Sequence, residues 1–298
     1  MPFAPDGSLV EGGVCSEAEP RARPRSRRTG LAWTDDRIHE HADIALARGV
    51  QAFDAAFRLV HDEYVSRGYM QPRPSGRRLS LRHALPTTRV FVAQVGGDVV
   101  GTMTLIQDSL LGLPMDDLYR AELARLRENG RLVAEVSALA MHPSYRSAGP
   151  AILLRLIRML ALYAVEIARL DDLCIAVLPR HVAFYREFFD FEPFGGRTTY
   201  ARINWTPAVG LRLDLHLVRA IIDRVQGADG GRDAVHHFLY GAGNYQRVMD
   251  RLLRALCEPA LTREWFSYFF PDEEGLEGVE PSQGLDRLRA FSRAGPPG

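Results

Sequence analysis

Residues 131–156, RLVAEVSALAMHPSYRSAGPAILLRL, restrict the fold more than any other stretch. Val133–Met141 is apolar and suits a buried strand, apart from one carboxylate, Glu135, and one hydroxyl, Ser137. Pro143 has no N–H to give to a ladder, so His142-Pro143-Ser144-Tyr145 ends the strand. Arg146-Ser147-Ala148-Gly149-Pro150-Ala151 then turns into an apolar helix, with Pro150 early enough for its missing N–H to cost nothing. The first N–H groups of a helix have no partner within it and can bind a phosphate. Gly149 lets the backbone approach such a group, and Arg146 adds a charge at its rim.

Strand alternation puts Glu135, Ser137 and Leu139 on one face, with Val136, Ala138 and Ala140 on the other. Burial raises the pKa of a carboxylate and makes it a better base near neutral pH, so Glu135 is a candidate base or substrate-orienting group. The competing assignment is a structural ion pair with Arg89 or Arg202. Ser137 is either a satisfied core hydroxyl or a substrate contact.

The 298-residue chain reads as one domain with terminal additions. Residues 1–30, ending RARPRSRRTG, read as a disordered Arg/Pro-rich tail able to touch an acidic partner. Thr34 to Arg67 reads as helix, with Ala52, Phe53, Ala56, Phe57, Val60 and Tyr64 forming an apolar stripe ended at Gly68. Arg89–Val95 and Asp98–Ile106 are strands of a hairpin turning at Gly96-Gly97. Leu113-Pro114-Met115-Asp116 is a turn, and Leu118–Arg127 a short helix with Leu118, Leu123 and Leu126 inward. Asp171–Leu178, Thr198–Ile203 and Val209–Leu217 read as strands, the last half-exposed. The domain spans 31–217, a helical C-terminal extension spans 218–270, and 271–298 reads as a disordered tail. In the extension, Trp265, Phe266, Tyr268, Phe269 and Phe270 form an aromatic cluster that either caps the core or covers an acyl tunnel.

Charge and composition exclude some functions. Lys and Arg number 37, as do Asp and Glu, which argues against nucleic acid as the main partner. Ala151–Ala168 is broken by Arg155, Arg158 and Glu166 and is a core helix, leaving no integral membrane segment. Cys15, Cys174 and Cys257 lie too far apart for a metal site or a disulfide framework and suit a reducing cytoplasm. No metal is expected, because no His/Cys/Asp group has ligand spacing.

Arg146, Gly149 and Ala151, after a strand and opening a helix, form an R-x-x-G-x-A pattern that resembles the pyrophosphate loop of GNAT acyltransferases. In that fold the loop holds the pantetheine phosphates of an acyl carrier. The resemblance implies an α/β (α+β) GNAT-like fold with a central mixed, mostly antiparallel sheet flanked by helices. The "LPMD" turn, the helix ending "LRENG" and the strand "AEVSALAM" resemble the N-acyl amino acid synthases of the FeeM type and, more distantly, the acyl-homoserine-lactone synthases. An insert before the central strand is a feature of the relatives that take long acyl chains from acyl carrier protein. The helix Val182–Phe189 resembles the second GNAT landmark, with Tyr185 matching its Tyr. Asp190 stands where a Gly is usual, and one residue is added before Phe191. The resemblance covers roughly residues 50–217.

On this resemblance the chain is a cytoplasmic N-acyltransferase that moves a long-chain fatty acyl group from acyl carrier protein, or acyl-CoA, to the amine of an amino acid. Donor contacts fall to Leu139, Met141, Arg146, Ser147, Ala148, Gly149 and Ala151, the first two through backbone N–H groups of a strand that splays from its neighbour. Glu135 and Tyr185 are the catalytic pair, as base and acid. Ser137, His181 and Arg89 are substrate contacts. His142 is a further polar candidate, and Arg82, Arg197 and Arg202 are further cations for an acceptor carboxylate. No cofactor is tightly bound; the donor is an acyl-phosphopantetheine. Two other readings stand beside this one: an acetyl-CoA-dependent N-acetyltransferase of small amines, and a GNAT-like module that binds without turnover.

Overall fold

The computed structural model describes residues 42–146, 149–220, 234–241, 244–257 and 261–270. The tails expected at 1–30 and 271–298 lie outside them.

The strands are β1 (Asp43–Leu46), β2 (Arg89–Val95), β3 (Asp98–Gln107), β4 (Val133–Met141), β5 (Asp172–Val177), β6 (Glu192–Tyr200) and β7 (Thr206–Asp214). They form one seven-stranded sheet in the order β1-β2-β3-β4-β5-β7-β6. All neighbours pair antiparallel except β4 and β5, which run parallel. This is the mixed, mostly antiparallel sheet that the sequence implies.

Among the described residues the helices include α1 (Gly49–Ser66), α2 (Asp116–Glu128), α3 (Gly149–Leu162), α4 (Val182–Phe189), α5 (Ala234–Tyr240), α6 (Asn244–Leu256) and α7 (Arg263–Phe269). The long helix expected from Thr34 is a strand and a helix instead. Asp43–Leu46 pairs with β2, and only then does α1 begin. Four residues of strand carry too little pattern to stand out beside an 18-residue amphipathic helix.

The sheet is covered on both faces. On one, Ile152, Leu156 and Met159 of α3, Leu239 of α5 and Leu252 of α6 pack on Phe91, Ala93, Leu105, Ala134 and Ile175. On the other, Phe53 and Phe57 of α1 meet Val90 and Val92, with Trp265 and Phe269 of α7 closing the cluster. The aromatic cluster therefore caps the core. Trp265 is fully buried, and each such side chain is worth roughly 1.5–3 kcal/mol in area removed from water. Gly96 and Gly97 both have positive φ, as the tight hairpin between β2 and β3 demands.

α2 docks on this second face, where Leu123 and Leu126 pack with Ile106, Val133 and Cys174. Its anchor is Tyr119. A Cβ on Gly195 would lie 2.2 Å from the Tyr119 ring, and one on Gly210 would lie 2.9 Å from it. The ring therefore occupies a slot that only glycines on β6 and β7 leave open. Its hydroxyl donates to the carbonyls of Gly196 at 2.9 Å and Ala208 at 3.3 Å.

Candidate active site

β4 is the middle of the sheet and changes character along its length. Its ladder to β5 covers only Val133, Ala134 and Glu135. β5 then follows β7, so a wedge opens between β4 and β5 from Val136 onward. On the β3 side the register slips: Thr104 faces Ser137, whereas Thr102 faces Ala140. The extra residue is a bulge, with Ala138 at φ 52°.

The bulge overturns the simple alternation read from the sequence. Val136 and Met141 pack on the α3 side, while Ala138 and Ala140 pack on Leu59 and Val60 of α1. Val136 and Ala140 thus lie on opposite faces. One extra residue in a strand reverses every side chain beyond it. Leu139 is left exposed and Ser137 half-buried at the mouth of the wedge.

Glu135 sits where β4 and β5 part. Its carboxylate accepts the Met115 N–H at 2.8 Å and is 3 % exposed. Burial pushes its pKa up to about 8; the Met115 hydrogen bond and the charges of Arg82 and Arg78 oppose that rise. No ion pair joins it to Arg89 among the described residues, and the Arg202 side chain is outside them.

The insert that covers Glu135 is held from several sides. Arg82 donates to the carbonyls of Leu111 and Gly112, both at 2.8 Å. Arg127 reaches Asp108 at 2.5 Å and Asp116 at 2.7 Å. The Tyr200 hydroxyl donates to the Pro114 carbonyl at 3.0 Å. Leu113 and Met115 are completely buried beneath it. The carboxyl therefore meets a fixed surface rather than a loose loop.

The turn after β4 leads into α3. Gly149 opens the helix, and a Cβ placed there would lie 3.9 Å from Met141 Cγ, an ordinary contact. Ser147 and Ala148 fall outside the described residues. Arg146 donates to both carboxylate oxygens of Glu63 on α1 at 3.1 Å, and Glu63 also receives Arg67 at 2.9 Å. An open cleft of about 770 Å³ lies here, lined by Glu63, Arg67, His142 and Arg146 among others. His142 accepts the Ser144 N–H at 3.3 Å and so shapes the turn.

Tyr185 on α4 packs among Phe184, Phe189 and Phe191. Burial raises its pKa, with Tyr64 of α1 contributing, so its hydroxyl stays protonated. Asp190 ends α4 at φ 55°, the left-handed conformation for which the related Gly is used and which Asp tolerates. His181 precedes α4, accepts Arg180 Nε at 2.9 Å, and has its pKa lowered by burial and by Arg180 and Arg67. Arg67, which lines the cleft, thus also acts on His181.

Arg89 lies apart. It stacks near Tyr163 at 5.6 Å and donates to the carbonyls of Pro86 and Thr88. Tyr163 belongs to the α3 side, across the sheet from Glu135. Arg197 is exposed on β6. Arg78, which the sequence did not single out, stands closer. Its charge acts on Glu135, and its guanidinium lies 4.5 Å over the Tyr64 ring.

The sequence profile of the N-acyl amino acid synthase FeeM matches residues 55–214, just over half of the chain. The chain belongs to the FeeM family. It is therefore an acyltransferase of the N-acyl amino acid synthase type, on a GNAT-like fold. The matched region runs from α1 through β7 and holds Glu135, Tyr185, Arg146 and Gly149. The structure of FeeM, an N-acyl amino acid synthase from uncultured soil microbes, is 29% identical with a TM-score of 0.53, covering 60% of this chain and 94% of that one. The acyl-homoserine-lactone synthase LasI is 17% identical with a TM-score of 0.48, covering 68% of this chain and 96% of that one. The CoA-dependent acyl-homoserine lactone synthase BjaI is 19% identical with a TM-score of 0.43, covering 65% and 97%. No curated protein sequence matches the chain. Among the described residues no helix is long and apolar enough to cross a membrane.

Proposed function

We propose that this FeeM-family enzyme joins a long-chain fatty acyl group, delivered by an acyl carrier protein, to the α-amine of an amino acid. The observation that carries the proposal is Glu135, buried beneath a pinned insert at the point where β4 leaves β5. The wedge supplies a channel for the donor's pantetheine arm, with Leu139 and Met141 offering main-chain N–H groups. The turn Arg146–Ala151 takes the phosphate through Arg146, Ser147, Ala148, Gly149 and Ala151. Arg67, Arg146 and Arg180 at this end suit an acidic carrier.

In this reading the acceptor's ammonium loses one proton to Glu135. The ammonium of a free amino acid is a weaker acid than a peptide N-terminus, whose pKa is about 8, so a carboxyl raised to about 8 takes its proton at far less cost than one at the ordinary 4.5. The free nitrogen attacks the thioester carbon and a C–N bond forms. An N–H of β4 beyond the bulge takes the oxyanion, a contact worth ~10²–10³ in rate. The C–S bond then breaks. Tyr185 gives its proton to the departing thiolate and recovers the nitrogen's second proton. Ser137 and His181 border the acceptor.

The test is thiol release. Palmitoyl-acyl carrier protein should yield free carrier thiol only when amino acids are present, and acetyl-CoA should yield far less. Equal release from acetyl-CoA would move the enzyme to short-chain donors. Release independent of amino acids would make it a thioesterase.

A further inference from the structure

An acceptor with an α-carboxylate needs a cation that the protein has not already neutralised. The arginines around the site are mostly engaged. Arg82 serves the carbonyls of Leu111 and Gly112, and Arg127 serves Asp108 and Asp116. Arg67 and Arg146 share Glu63. Arg89 faces the other side of the sheet beside Tyr163.

Arg78 differs from all of these. Among the described residues its guanidinium enters no ion pair or hydrogen bond, although it is half-buried. Its backbone N–H donates to the Phe57 carbonyl at 3.1 Å, which fixes this part of the loop on α1. Its guanidinium carbon lies 4.5 Å above the Tyr64 ring. A guanidinium held over a ring by cation–π attraction can still give N–H groups to a carboxylate.

The packing of Tyr64 puts this cation near the bulged strand. Tyr64 packs against Leu59, Val60, Ala138 and Ala140, which puts it at the β4 bulge. Tyr64 also helps to raise the pKa of Tyr185, after burial. Arg78 itself acts on both Glu135 and the buried His83. Through Tyr64 the cation thus stands at the bulged strand, and its charge acts on the proposed base.

We propose that Arg78 anchors the α-carboxylate of the acceptor, with Tyr64 holding the guanidinium in position. The assignment rests on the amino-acid acceptor reading above. An α-carboxylate stands one carbon from the α-amine, so this anchor sets where the nitrogen lies relative to Glu135. It makes the enzyme selective for free amino acids over their amides and over simple amines.

The experiment uses the full chain with palmitoyl-acyl carrier protein. The twenty protein amino acids are offered in parallel, and the best acceptor is compared with its own α-carboxamide. The wild-type enzyme should favour the acid. Arg78→Gln should raise the KM for the acid about 10- to 100-fold, the loss expected for one charged hydrogen-bonding partner, while the donor KM and the amide KM stay the same. Arg78→Lys should fall between the two and serves in place of the glutamine variant should that fail to fold. An unchanged acid KM, or an equal rise for acid and amide, overturns the assignment while leaving the function intact. A wild-type enzyme that acylates none of the amino acids removes both.

Discussion

The Met115 N–H donates to the Glu135 carboxylate at 2.8 Å. One hydrogen bond thus ties the insert to the central strand through the residue proposed as base. Insert position and the ionisation of Glu135 are consequently coupled.

Glu135→Gln should lower kcat/KM by ~10²–10⁴, the range for loss of a general base. In the wild type, kcat/KM should rise with pH and level off above about 8, where Glu135 is ionised. The variant should lose the part of that rise set by Glu135 and keep only the rise set by the acceptor ammonium's own ionisation. Stability carries the opposite sign. The folded pKa of about 8 lies above the ordinary 4.5, so the folded state holds the proton more tightly. That contribution is complete below 4.5, declines as pH rises towards 8, and is gone above it. Melting curves from pH 5 to 9 should show the wild type losing stability across this window and Glu135→Gln losing less. Parallel curves would place the charge elsewhere.

Gly210→Ala should unseat the insert. The new methyl meets the Tyr119 ring at 2.9 Å, and overpacking of this kind costs typically 1–3 kcal/mol. Hydrogen exchange should quicken across residues 108–130 and at Met115. A rigid insert in that variant would mean that Tyr119 is not its anchor.

Ala138→Val tests the bulge. A β-branched residue at φ 52° costs about 1–3 kcal/mol, and the site already packs on Leu59 and Val60. Turnover should fall with the melting temperature, whereas Ala138→Gly, which accepts the same backbone, should keep turnover. Loss of turnover in the glycine variant as well would show that the methyl, and not the backbone, matters.

Gly149→Val addresses the donor. A Cβ here would lie 3.9 Å from Met141 Cγ, an ordinary contact. Crowding a phosphate should raise the donor KM about tenfold, ~1.4 kcal/mol, and leave the acceptor KM alone. An unchanged donor KM would take the phosphate away from this turn.

Much of this arrangement is legible in the sequence, for physical reasons. β4, the hairpin at Gly96-Gly97 and α3 each carry a long apolar run or a turn that only glycine makes easily, and each stands where expected. Glu135 stood out because a carboxylate in an apolar strand is costly. β1 did not, since four residues gain their identity only by pairing with β2. The bulge at Ala138 depends on register with β3, which local pattern does not encode. Arg78 sits in a loop without periodicity, and only the packing of that loop on α1 brings it over Tyr64. Nor does the sequence show that Gly195 and Gly210 form one slot, because they meet only across β6 and β7.

Product mass tests the central claim most directly. The purified chain is incubated with palmitoyl-acyl carrier protein, acetyl-CoA and the twenty amino acids, and the extract is analysed by mass spectrometry. The proposed function predicts an N-palmitoyl amino acid, absent with Glu135→Gln. An N-acetyl amino acid alone, or no acylated amino acid from either donor, would contradict it.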